Sequence, residues 1–141
     1  MFKATIIYTD YNGTERQEEH FFNLNRAEAI KWQNSVEGGL DNKINEMLDN
    51  ADPKIFDIFE QLIEISYGKK TSDGKYFEKE DANGRPYYKE FKRSAAYKKF
   101  MMDLMDADNA AAFFNGVVPR LTDKERAAVD KIEKNEFKGR E

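Results

Sequence analysis

"FKATIIYTDYNGTERQEEHFFNL", residues 2–24, is the stretch that decides the fold. Two runs of alternating apolar and polar residues flank Asn12-Gly13. That dipeptide suits the positive backbone angles of a two-residue type I′ turn, so the stretch reads as a β-hairpin. Pairing Tyr11 with Thr14 puts Phe2, Ala4, Ile6 and Tyr8 on one face with Phe21. Lys3, Thr5, Thr9, Arg16 and Glu18 take the other, together with His20 opposite Thr5. The first face is core and the second mostly solvent.

Beyond Leu24 the pattern turns helical. Asn25 and Glu28 can cap each other's backbone donors and open a helix over 26–34, which Gly38-Gly39 breaks. A second helix spans 40–50. Asp52-Pro53 supplies an N-cap and a first-turn proline for a third, "KIFDIFEQLIEISY", over 54–67. At 100° per residue its Ile55, Phe56, Ile58, Phe59, Leu62, Ile63, Ile65 and Tyr67 cover roughly 200° of arc, twice the stripe of an ordinary surface helix. It must be covered on more than one side. Residues 69–89 are polar, with turn signals at Asp73-Gly74, Asn83-Gly84 and Arg85-Pro86. They read as a long mobile connection with a short strand or turn near Tyr76-Phe77.

A helix over 94–105 carries Tyr97, Phe100, Met101, Leu104 and Met105 on one side. Another over 108–115 has Asp108 as cap, three alanines to propagate it and Gly116 to end it ahead of Pro119. Thr122 with Glu125 forms a further capping box at the start of a charged, helical C-terminal extension, 120–141. No repeat or linker divides residues 1–119. The fold class is α+β, predominantly α-helical: an N-terminal β-hairpin packed on a small helical bundle.

The 141 residues carry 23 basic and 27 acidic side chains, a net charge of −4. The two signs are interspersed and leave no basic stripe to follow phosphates, which argues against nucleic acid as a partner. No long uncharged apolar run points to a membrane, and no leader to secretion. The chain has no cysteine, which fits a reducing cytoplasm and removes disulfides, thiolate metal sites and cysteine nucleophiles.

Asp106 and Asp108 invite a calcium reading, and the twelve-residue loop tests it. Ala110, Ala111 and Val117 fall where that loop needs an oxygen ligand, its glycine and its bidentate glutamate, so no metal site is expected. His20 is the single histidine and stands without a nucleophile signature. The pairs Glu18-Glu19 and Glu80-Asp81 lack the apolar surroundings that raise a catalytic pKa, and Gly38-Gly39 lacks the context of a phosphate loop. The residues describe a non-enzyme without a cofactor.

Surplus apolar surface remains. Met101, Met102 and Met105 cluster on one helix, and such clusters serve as core filler or as surfaces that accept varied apolar partners. Phe113 and Phe114, 100° apart, can both be buried only between two neighbours; core is the usual fate of Phe, an exposed contact the other reading. Phe100, Met101, Met102, Leu104, Met105, Phe113 and Phe114 together form the candidate partner-binding surface.

"ISYGKKTSDGKYFEKED" and "FKRSAAYKKFMMDLMDADNAAAFFNGVVP" resemble the tail assembly chaperones of long-tailed, siphovirus-type bacteriophages, the gpG-like family. The likeness rests on Tyr67-Gly68, Ser72-Asp73-Gly74, Phe77, Tyr97, Phe100-Met101 with Leu104, Asp106-Ala107-Asp108, the alanines 110 to 112, Phe113 or Phe114, Asn115-Gly116 and Pro119. Upstream, "HFFNLNRAEA" and "EGGL" fit as well. "DANGRPYY" and the charged end after Pro119 depart from it. The resemblance implies a protein that binds the tape measure protein, keeps that long chain soluble and helps recruit tail tube subunits in the host cytoplasm. It also implies absence from the mature virion, with the major tail tube protein, through a frameshifted longer product, and further copies of the chain as additional partners. A structural head or tail completion protein and a small acidic inhibitor of a host enzyme are the rival readings; the near balance of charge speaks against the second.

Overall fold

The computed structural model describes residues 1–34 and 39–118, with residues 122–124, 127–128 and 131 beyond them. In chain order the elements are β1 (Phe2–Thr9), β2 (Glu15–Phe22), α1 (Arg26–Gln33), α2 (Leu40–Asp49), α3 (Ile55–Ser66), β3 (Tyr67–Lys70), β4 (Phe77–Glu78), α4 (Tyr87–Lys92), α5 (Ala95–Asp103) and α6 (Ala107–Val117). The chain is α+β, with a four-stranded antiparallel sheet in the order β1-β2-β3-β4.

The hairpin pairs Phe2 with Phe22 and Thr9 with Glu15. This is one residue away from the Tyr11–Thr14 pairing, and a slip of one turns a strand over. Arg16, Glu18, His20 and Phe22 therefore share the face of Phe2, Ala4, Ile6 and Tyr8, and Phe21 points the other way. The loop chemistry is the cause. The Asp10 amide donates to the Thr14 carbonyl at 2.9 Å, closing a loop of three residues. The Asp10 carboxylate accepts from the amides of Asn12 and Thr14 at 2.9 Å each. Gly13 takes φ +79° as the third loop residue while Asn12 has no positive φ, so the left-handed step follows the turn instead of lying within it.

Residues 69–89 are not a loose connection: they carry the end of β3, the short strand β4 where one was expected near Tyr76-Phe77, two tied turns and the start of α4. α3 runs into β3 without a loop, and β3 lies between β2 and β4. The first turn is tied by the Gly74 amide donating to the Thr71 carbonyl at 2.8 Å and the Lys75 amide to the Asp73 carboxylate at 3.0 Å. In the second, the Asp81 carboxylate accepts from the amides of Asn83 and Arg85 at 2.9 Å each, and Glu80 pairs with Pro86 just before α4.

Ser94 caps α5, its hydroxyl oxygen accepting from the Tyr97 amide at 3.2 Å. α6 starts behind Asp106, not Asp108: the Asp106 carboxylate accepts from the Asn109 amide at 3.3 Å and its carbonyl from the Ala110 amide at 3.0 Å. Gly116 lies inside α6 and does not end it. A Cβ there would stand 2.6 Å from Cδ2 of Phe2, so its absence lets α6 lie close to β1.

The chain forms two compact units, one of Met1–Asn23 with Ile58–Val117, the other of Leu24–Asp57 with the chain from Val118 on. The first is built around Phe22, fully buried and in ring contact with Phe2, Tyr67, Phe91, Phe100 and Phe113 at 5.2–6.2 Å. Phe113, equally buried, adds Phe59 at 6.0 Å and Phe100 at 5.3 Å. Each such pair adds about 0.5–1.5 kcal/mol beyond its buried area. In the second unit the Asn25–Glu28 capping box starts α1, and α2 buries Leu40, Ile44 and Met47 at the spacing of one helix face. The Thr122–Glu125 box and the extension to Phe137 fall largely outside the described residues.

Candidate functional site

Helix geometry divides the candidate surface. Ala96, Phe100 and Leu104 recur every four residues and all face inward, at 0%, 5% and 3% exposure. Phe100 stacks on Phe22 at 5.2 Å and 18°, which fixes this side of α5 against the sheet. Met102 lies some 200° around the helix from Phe100, and it is exposed. Phe113 and Phe114 of α6 are buried as well. Of the seven candidates, then, Phe100, Leu104, Phe113 and Phe114 are core and Met101 is half-buried. Met102 and Met105 stand in solvent at 66% and 68% exposure.

Ile7 on β1 is also exposed, and sequence reasoning passed over it. It falls on the outer sheet face with Lys3, Thr5 and Thr9. Ile7, Thr9, Ala95, Lys99 and Met102 line a depression of about 340 Å³ between α5 and β1. The apolar patch therefore crosses from helix to strand. Its charged neighbour Lys99 is held by Asp103 at 2.6 Å, an exposed pair that adds little stability.

A larger cleft of about 650 Å³ opens among β2, β3 and α4, lined by Tyr8, Glu18, His20, Tyr67, Glu90 and Phe91 among others. The one-residue shift in register brings His20 here instead of to the polar face. Its Nδ1 lies 2.9 Å from the Tyr67 hydroxyl and its Nε2 3.1 Å from Glu18 Oε1, and its ring packs on Phe91 at 4.7 Å. Burial lowers the His20 pKa, against the opposing pull of Glu18. A neutral ring that donates from Nε2 to Glu18 and accepts at Nδ1 from Tyr67 satisfies every partner. Burial pushes the Tyr67 hydroxyl well above its ordinary pKa, so it stays protonated and able to donate. Tyr67 also stacks on Phe91 at 4.2 Å and 2°. This triad closes the cluster around Phe22 and holds helix, sheet and α4 together.

Asp106 is occupied as a helix cap, and among the described residues no group of three potential metal-ligating side chains gathers. Nor, among them, is any helix long and apolar enough to cross a membrane.

A family model described as phage tail assembly chaperone matches residues 1–138. No curated protein and no solved structure matches the chain. The chain belongs to the phage tail assembly chaperone family.

Proposed function

We propose that this tail assembly chaperone binds the tape measure protein of its phage, keeps that long chain soluble in the host cytoplasm and helps tail tube subunits gather on it. The observation that carries the reading is the pair Met102 and Met105, two large apolar side chains about two-thirds exposed, the first on α5, whose other side is core, and the second just past its C-terminal end. Methionine is unbranched and polarizable, so it adapts to varied apolar segments, as a protein that follows a long client must. A charged exterior, 35% of all residues, keeps the complex dissolved. The contact is made by the outer side of α5, with amphipathic segments of the client laid against it.

Co-expression tests the reading. The soluble yield of the cognate tape measure protein rises in the presence of the chaperone, and the two co-purify. An unchanged yield without co-purification overturns it. Mass spectrometry of purified virions separates the chaperone from a completion protein, because a chaperone is absent from the mature particle.

A further inference from the structure

The sheet has an open edge. β1 stands at its end, and among the described residues no strand but β2 pairs with it. Asp10 donates to Thr14 across the hairpin, so the even-numbered residues of β1 form the hydrogen-bonded pairs with β2. The N–H and C=O groups of Lys3, Thr5, Ile7 and Thr9 consequently point away from β2. Native proteins guard such edges with proline, a bulge or several charges. β1 has an unbroken register over eight residues, no proline and one charge, Lys3, which Glu19 already engages at 3.5 Å. Two depressions of about 240 and 340 Å³ run beside it from Phe2 to Thr9.

We propose that two copies of the chain pair along this edge, β1 against antiparallel β1 about a twofold axis near Ile6, joining their sheets into one. Antiparallel pairing across the open edge matches odd residues with odd residues. Centred on Ile6, it sets Lys3 opposite Thr9 and Thr5 opposite Ile7 of the second copy. No like charges meet. Thr9 is flanked by Glu15 on β2, so Lys3 of each copy approaches an acid of the other. The same pairing covers Ile7, which is 52% exposed in the single chain. An isologous contact of this kind closes at two copies and leaves no second edge of β1 to propagate. Met105 lines neither depression, so it stays outside the paired strands. This pairing does not depend on the identity of the client.

Sedimentation velocity over a concentration series up to about 100 μM reads it, since a dimer of this kind is concentration-dependent. Two variants locate the contact. Thr5→Pro removes one outward N–H and leaves the hairpin bonds to β2 in place, as proline is tolerated at a strand edge. Ile7→Lys sets new charges diagonal to each other and to Lys3 of the second copy. The wild type dimerises, and each variant weakens the dimer about tenfold or more without a change in its melting as a monomer. If Thr5→Pro fails to fold, Ile7→Lys decides alone. A wild type monomeric throughout, or a folded Ile7→Lys that dimerises as well as the wild type, overturns the proposal. Loss of tape measure binding in Ile7→Lys from a monomeric wild type would likewise overturn it, and would give the edge to the client.

Discussion

The two sides of α5 carry side chains of similar size and apolarity and treat them in opposite ways. Phe100 and Leu104 are 5% and 3% exposed; Met102 and Met105, along and just past the same helix, are 66% and 68% exposed. Nothing in hydrophobicity alone separates them. The separation comes from Phe22, which meets one side of the helix through Phe100, while Met102 on the other stays in solvent. An exposed pair of methionines wastes burial unless something else covers it, so the inner side explains stability and the outer side asks for a partner.

The largest effect lies on the inner side. Phe113 touches Phe2, Phe22, Phe59 and Phe100 and has no exposure. Phe113→Ala should cost about 3–5 kcal/mol in urea unfolding, a large share of the total for a domain of this size. A loss below about 1 kcal/mol would erase the contrast between the two sides.

Gly68→Ala comes next. A Cβ at Gly68 would stand 2.5 Å from the Glu78 carbonyl oxygen and 2.6 Å from the Phe77 ring, so β4 has to move. The expected loss is about 1–3 kcal/mol, the range for overpacking, and it can be read from the urea midpoint. An unperturbed midpoint would mean that β4 adds nothing to the cluster.

Smaller still is the pH effect of His20. Its folded-state pKa is lowered below the ordinary value of about 6.5, chiefly by burial, so the unfolded chain binds the proton more readily. Stability is complete above pH of about 6.5 and declines as the pH drops towards the folded value. The Asp10, Asp73 and Asp81 carboxylates, whose pKa values are also lowered, act only near and below about pH 4, where unfolded carboxylates take up protons. Thermal melts of wild type and His20→Gln at about pH 7.5 and 5.5 should show the wild type losing more on acidification. Equal losses would remove His20 from the account.

How much of this was legible depended on whether a signal was local. Asn12-Gly13 announced a hairpin, but a left-handed glycine serves either as the second residue of a two-residue turn or as the third of a longer loop. The Asp10 amide bond to the Thr14 carbonyl, with the Asp10 carboxylate bonds to the amides of Asn12 and Thr14, closes the longer loop and so decides which face His20 occupies. β4 is two residues long and lies between the turns at Asp73 and Asp81, so a short strand or turn near Tyr76-Phe77 was readable from those flanking signals. β3, four residues that follow α3 without a loop, is too short for alternation to show, and it read as the end of a helix and the start of a connection. The Asn25–Glu28 box was readable because both its members lie within one turn. Gly116 looked like a helix end because its reason, the Phe2 ring, is more than a hundred residues away. The methionine cluster was equally plain, yet which methionines face solvent is set by tertiary packing on Phe22.

Replacement of the outer methionines tests the division of α5 most directly. Met105→Glu, and Met102→Glu beside it, should each change stability by no more than about 0.5 kcal/mol, because an exposed position accommodates a charge. In cells co-expressing the tape measure protein, these folded variants are expected to lose co-purification, and the client's soluble yield to fall towards the level without chaperone. Full co-purification by both variants would contradict a client site on the outer side of α5.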